Sequence, residues 1–255
     1  MSPEPGIPAL DEIAQRWLEA GFFAGAVLRV ERGGALLHEA AWGQSLRIPE
    51  QSSRLEPGCL FDLASVTKLF TTTAVLRLVS LGGLRLHDPV AELLCPGLDP
   101  SLGSRLRASL GGADVASLLA HSSGIHYWYP FYTRRGEAFE AILADVLKAH
   151  PRRAEVVYSD LNFMILGRIL ELRTGLPLRS AMDDLLLRPL GLRRTSYAPP
   201  KGPSAAGEFG NRIERRMVAD LGLHFPSWRD ESRPIQGEAD DGNCFYYFGG
   251  EAGHA

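Results

Sequence analysis

Leu10, Ile13, Trp17 and Leu18 fall on one face of a 3.6-residue period, which predicts a short amphipathic helix ending at Gly21. Two strand-like runs follow, Ala24 to Glu31 and Ala35 to Trp42, separated by Gly33-Gly34, so a hairpin closed by a tight turn is expected. Residues 44 to 60 are polar and turn-rich. From Ser65 to Leu81 the period is helical again, with Leu69, Phe70, Thr73, Leu76 and Val79 as its apolar or small face and Gly82-Gly83 as its stop. Asp114 is placed to cap a short helix ending near His121 to Gly124. Phe139, Ile142, Leu143, Val146 and Leu147 form the cleanest helical stripe in the chain, and Pro151 ends it. Further helices are expected from about Leu161 to Arg173, closed by Thr174-Gly175, and from about Leu178 to Leu187. After Tyr197 the pattern fades, and residues 198 to 243, rich in Pro, Gly and charge, are read as long loops with a little helix.

This inventory is lopsided: one clear hairpin, then mostly helices. A two-stranded hairpin is not stable alone, so its sheet partners are either cryptic in this sequence or missing from it. The chain has 255 residues, 45% hydrophobic and 22% charged, enough for a sizeable core in one large domain or two lobes. A net charge of -3 supplies no basic field for nucleic acid or an anionic membrane. No apolar run approaches the roughly 18 residues of a membrane span, and the opening Met-Ser-Pro-Glu-Pro-Gly has no export-signal pattern. Cys59, Cys95 and Cys244 are widely spaced and odd in number, which argues against a disulfide framework or a metal site and for a reduced, cytoplasmic compartment.

The sharpest chemical feature is Ser65-Val66-Thr67-Lys68 at a helix start. Residues three apart share a helical face, so the Lys68 amine can approach the Ser65 hydroxyl, and a serine needs such a base to become a nucleophile. A lysine buried at the positive end of a helix dipole can give up its proton, and the Ser65 N–H can supply half of an oxyanion hole. The bland alternative is a capping serine beside a solvated lysine. Against it, a cation in the first helical turn opposes the dipole. Lysine is also rare here: only Lys68, Lys148 and Lys201 stand among 27 basic residues, and arginine cannot act as a base.

Phe61-Asp-Leu-Ala-Ser65-Val-Thr-Lys68-Leu-Phe-Thr-Thr-Thr resembles the active-site segment of the serine β-lactamase and penicillin-binding-protein family, which includes class C β-lactamases, DD-peptidases and related esterases. The resemblance continues in register through Gly83 to Val90, through Leu118-Leu-Ala-His-Ser-Ser-Gly124-Ile125, and through Pro189-Leu-Gly-Leu192 with Thr195. Tyr158-Ser159-Asp160 sits where the family's Y-x-N belongs. It implies Ser65 as nucleophile, Lys68 as its proton partner and Tyr158 as the phenol that shuttles the proton to the leaving group. Asp160 is a substrate-binding candidate that departs from asparagine. A carboxylate cannot donate to an acyl-amide carbonyl, which puts β-lactam recognition in doubt, and helix capping is its plainer role.

Arg173-Thr174-Gly175 imitates the family's K-T-G motif but closes a helix and is read as a C-cap. His121 and His126 flank the aromatic cluster Tyr127-Trp128-Tyr129, Phe131 and Tyr132, which reads as core or lid before cleft. The strand carrying K-T-G or H-x-G is not found. Gly249 to Ala255 reads as a glycine-rich loop preceding that motif, and a rival reading makes His254-Ala255 the start of H-x-G. The resemblance therefore implies an α+β fold of the β-lactamase/transpeptidase type: an antiparallel sheet flanked by helices, a helical lobe, and an active site between them. Residues 1–255 are expected to be a single partial domain, with the sheet incomplete and the chain truncated at its C-terminal side. The expected activity is acyl transfer from a small-molecule ester or amide through a seryl intermediate, without cofactor or metal and without nucleic acid or membrane as partner. A non-catalytic remnant or binding module of the same fold is the alternative. Substrate and oligomeric state stay open.

Overall fold

The computed structural model of the protein describes residues 7–49, 51–197 and 202–255. The opening hexapeptide, Glu50 and residues 198–201, with Lys201 and the start of the expected long loops, lie outside the described residues. The chain divides into two compact units, each drawn from separated stretches of sequence.

The first unit holds the described residues up to Asp62, residues 202–209 and Ser232–Glu238. Its helix α1, Pro8–Glu19, starts with proline in the first turn, where a missing N–H costs nothing. Strands β1 (Gly25–Arg32), β2 (Ala35–Ile48) and β3 (Gln51–Arg54) form an antiparallel meander in that order. The β1–β2 register pairs Ala26 with Trp42 and Leu28 with Ala40, as the expected hairpin requires. Gly33 and Gly34 lie at φ +59° and +79°, the left-handed pair that a tight hairpin turn needs and that glycine supplies without strain. Strands β4 (Ala206–Phe209) and β5 (Pro234–Gln236) make a second antiparallel pair. Leu46 and Leu55 are buried, while Trp17 and Phe22 stay exposed with their rings 6.1 Å apart.

The second unit holds residues 63–197, Gly210–Glu231 and Ala239–Ala255 and is helical. It comprises α2 (Thr67–Ser80), α3 (Val90–Leu94), α4 (Pro100–Leu110), α5 (Val115–Leu119), α6 (Phe139–Ala149), α7 (Asp160–Thr174), α8 (Leu178–Met182) and α9 (Arg212–Asp220). Helix α7 buries Leu161, Phe163, Met164, Ile165, Leu166, Gly167, Ile169 and Leu170, which together point in every direction around its axis, so it runs through the core rather than along its surface. An aromatic cluster of Trp128, Tyr132, Phe225 and Tyr246 packs beside Val218 of α9. Most of the aromatic run after His126 is therefore core: Trp128, Phe131 and Tyr132 are buried and Tyr127 is exposed.

Three expectations need correction. The buried face of α2 is Thr67, Lys68, Thr71, Ala74, Val75 and Leu78, whereas Leu69, expected inside, is 66% exposed. Helices α3 and α4 were not foreseen, although Asp99 caps α4 through the N–H groups of Ser101 and Leu102 just ahead of Pro100. Strand β3 lies in the stretch expected to be turns, because its four residues, Gln-Ser-Ser-Arg, carry no apolar alternation and are held by their ladder to β2.

Candidate active site

The site begins with a backbone bend. Ala64 adopts φ +44°, a left-handed conformation that costs a non-glycine residue of the order of 1–2 kcal/mol and is retained where surroundings over-determine it. The bend leads into a 3-10 turn, Ala64–Val66, that continues as α2. Ser65 is left exposed on this turn, while Lys68, one turn on, is buried with only 6% of its side chain accessible. Lys68 Nζ donates to Ser65 Oγ at 2.9 Å. An accessible hydroxyl backed by a buried amine is the arrangement that an activated serine needs.

Lys68 Nζ has two further partners. It donates to the backbone carbonyl of His254 at 2.9 Å and forms an ion pair with Asp160 Oδ1 at 2.7 Å. It also lies over the Tyr158 ring, 5.1 Å from the centroid, and 5.8 Å from that of Phe163. The N-terminus of α7 delivers these groups. Ser159 caps it, its hydroxyl accepting from the Asn162 N–H and donating to the His126 carbonyl. The capping role considered for Asp160 therefore belongs to Ser159, and Asp160 is turned to the lysine instead. Tyr158, just outside the helix, is 57% exposed.

His121, which the sequence suggests belongs to a core or lid before a cleft, steadies this corner. Its Nδ1 accepts the Ser159 N–H at 3.0 Å, and its ring lies 4.4 Å from that of Tyr158. Because Nδ1 accepts, the ring proton is placed on Nε2, and burial, with the Lys68 charge second, lowers the His121 pKa. The pattern Leu118-Leu-Ala-His-Ser-Ser-Gly124 was the signal that could have found it.

A second layer of charge lies behind the lysine. His254 Nε2 and Asp241 Oδ1 are 3.0 Å apart, and the His254 ring is almost wholly buried. Burial alone would raise the Asp241 carboxyl, but the charge and hydrogen bond of His254 hold it below the usual range. Burial alone would lower His254, and Asp241 overrides it to raise the imidazole above its ordinary value. Glu214 is pushed up to about 7, first by burial and then by the neighbouring Asp241 charge, while Tyr132 donates to it at 2.6 Å.

Ser65, Lys68, Tyr158 and Asp160 are thus brought together in one place. Arg173-Thr174-Gly175 is not part of it: Gly175 is the left-handed C-cap of α7 at φ +70°. The His254 ring, the one considered as the start of H-x-G, faces Asp241, and only its carbonyl reaches Lys68. Cys59, Cys95 and Cys244 are buried and none forms a disulfide. Among the described residues no cluster of His, Cys, Asp and Glu is arranged to hold a metal, and no helix is long and apolar enough to cross a membrane.

Comparison with known proteins shows which family the chain resembles. An N-acetylmuramyl-L-alanine amidase of Bacillus subtilis is 32% identical, over 96% of this chain and 58% of its own length. A putative D-alanyl-D-alanine carboxypeptidase of Escherichia coli is 30% identical, over 89% of this chain and 55% of its own. The solved class C beta lactamase from Rhodobacter sphaeroides superposes with a TM-score of 0.66 at 25% identity, over 80% of this chain and 55% of that one. The chain therefore spans a little over half the length of the curated relatives it matches. The family model described as Beta-lactamase matches residues 10–253. With that match over nearly its whole length, and with the α+β, β-lactamase/transpeptidase-like architecture of its structural neighbours, the chain belongs to the beta-lactamase family.

Proposed function

We propose that this protein is a serine hydrolase that transfers the acyl group of a small ester or amide to Ser65 and then to water. The observation that carries the reading is the 2.9 Å contact between Lys68 Nζ and an exposed Ser65 Oγ. In the proposed reaction Ser65 Oγ attacks the substrate carbonyl carbon as its proton passes to Lys68, and the carbonyl oxygen becomes an oxyanion facing the Ser65 N–H. Tyr158 hands a proton to the leaving group as the carbon–heteroatom bond breaks, which leaves an acyl-serine. Water, losing its proton to the same groups, releases the acid and restores Ser65.

Asp160 bears on the substrate. Its carboxylate accepts and cannot donate, so it offers an acyl-amide carbonyl no hydrogen bond. This supports an ester, or an amide recognised elsewhere, over a β-lactam. The amidase and carboxypeptidase names of the two curated relatives agree with an acyl-transfer reading and extend it to amides. Three cysteines outside any disulfide support a reducing, cytoplasmic setting. The test is hydrolysis of a p-nitrophenyl ester: the protein should turn it over and Ser65→Ala should not, while its circular dichroism is unchanged. Equal turnover by folded Ser65→Ala would overturn the proposal.

A further inference from the structure

The aim of the Lys68 lone pair sets whether Ser65 can be deprotonated. A lysine ammonium has three hydrogens, and here Lys68 Nζ donates to Ser65 Oγ and to the His254 carbonyl and forms an ion pair with the Asp160 carboxylate. A neutral amine keeps two hydrogens and gains one lone pair. The His254 carbonyl holds one of those hydrogens and the Asp160 carboxylate attracts the amine from another side, which leaves Ser65 for the lone pair to face. The carbonyl is then as necessary to the geometry as the carboxylate.

That carbonyl sits in a segment pinned atom by atom. Three successive carbonyl oxygens each accept from a side chain: Ala252 from Tyr197 at 3.1 Å, Gly253 from Thr71 at 2.7 Å, and His254 from Lys68 at 2.9 Å. Gly253 lies against Gly167 of α7 so closely that a Cβ on it would come within 2.5 Å of the Phe163 carbonyl oxygen. The His254 ring then bonds to Asp241, whose Oδ1 also accepts the Cys244 N–H at 2.7 Å. The charged groups around His254 are Asp241, Asp160 and Lys68, and Asp241 in turn acts on Glu214.

We infer that the buried Asp241–His254 pair is a positioning device for the reaction: it locks the His254 carbonyl onto Lys68 and so aims the amine at Ser65. The inference rests on the reading of Ser65 as nucleophile and Lys68 as its base. Asp241 and His254 touch no substrate and act through Lys68 alone.

The test is the rate at which a fluorophosphonate labels Ser65, followed over a range of probe concentrations so that the maximal rate and half-saturating concentration separate. His254→Ala and Asp241→Ala should each lower the maximal rate by roughly 10- to 100-fold with half-saturation within about twofold. Asp241→Asn keeps an oxygen for the imidazole N–H and should recover the rate to within a few-fold of the parent, which a general loss of packing would not do. Should both alanine variants fail to fold, Thr71→Val keeps the volume and releases the Gly253 carbonyl, and it should slow labelling severalfold. Folded alanine variants, or in their absence Thr71→Val, labelling at the parent rate would overturn this inference alone. A parent protein that leaves Ser65 unlabelled would overturn both the inference and the reading beneath it.

Discussion

The Asp160 carboxylate meets the Lys68 ammonium at 2.7 Å, at the place where the family resemblance would put the amide of an asparagine. An asparagine there can accept from the lysine with its oxygen and donate from its nitrogen to a substrate carbonyl, whereas aspartate does only the first. Asp160→Asn should therefore shift selectivity toward amide-like acyl donors. Acylation by a chromogenic β-lactam, relative to a matched ester, should rise up to about tenfold, since one neutral hydrogen bond contributes roughly 0.5–1.5 kcal/mol. An unchanged ratio would show that Asp160 does not face the substrate.

Tyr158→Phe isolates the phenol. The residue is more than half exposed, so losing one oxygen should leave the melting temperature within about 1 °C. Turnover should fall on the order of 10²-fold or more if the hydroxyl carries the proton to the leaving group. Measuring kcat for esters with good and poor leaving groups checks the role, because a poor leaving group depends more on its proton donor. An equal loss for both would point to packing against His121 instead.

Glu214 offers a stability test separate from catalysis. Its folded pKa, pushed up to about 7, lies above that of an unfolded glutamate. The protonated carboxyl therefore contributes stability below about pH 4.5, and that contribution is lost as pH rises through 7. Glu214→Gln stays neutral and can still accept from the Gly242 N–H and donate to the Tyr132 oxygen. The melting temperature of Glu214→Gln relative to the parent should climb by about 5 °C between pH 5 and pH 8. A gap that does not change with pH would mean that Glu214 ionises without cost where it sits.

What the sequence disclosed about this site follows sequence distance. Ser65 and Lys68 are legible because their proximity is a property of one helical turn. Tyr158 and Asp160 are some ninety positions away from Ser65 by numbering, and no periodicity joins them to it; only the resemblance placed them there. The α2 face was misread because a helix supporting a site buries polar side chains: Thr71 and Lys68 point inward to carbonyls of residues 253 and 254, and Leu69 points out. The hairpin was plain because alternation and Gly33-Gly34 agree. Strand β3 was not, since four polar residues at a sheet edge carry no signal beyond their ladder bonds. The Asp241–His254 pair was invisible, as an aspartate and a histidine thirteen residues apart have no local reason to meet.

A covalent acyl group on Ser65, formed with the help of Lys68, is the species whose trapping decides the reaction. The protein is mixed with an ester substrate, quenched in acid within a turnover, digested and weighed peptide by peptide. The peptide containing Ser65 should gain the mass of the acyl group. Ser65→Ala should show no gain, and Lys68→Arg should form the adduct at least about 10²-fold more slowly, because arginine keeps the charge but cannot take the proton. Ester turnover with no adduct at Ser65, with the adduct on another residue, or with Lys68→Arg acylating at the parent rate would contradict this reaction.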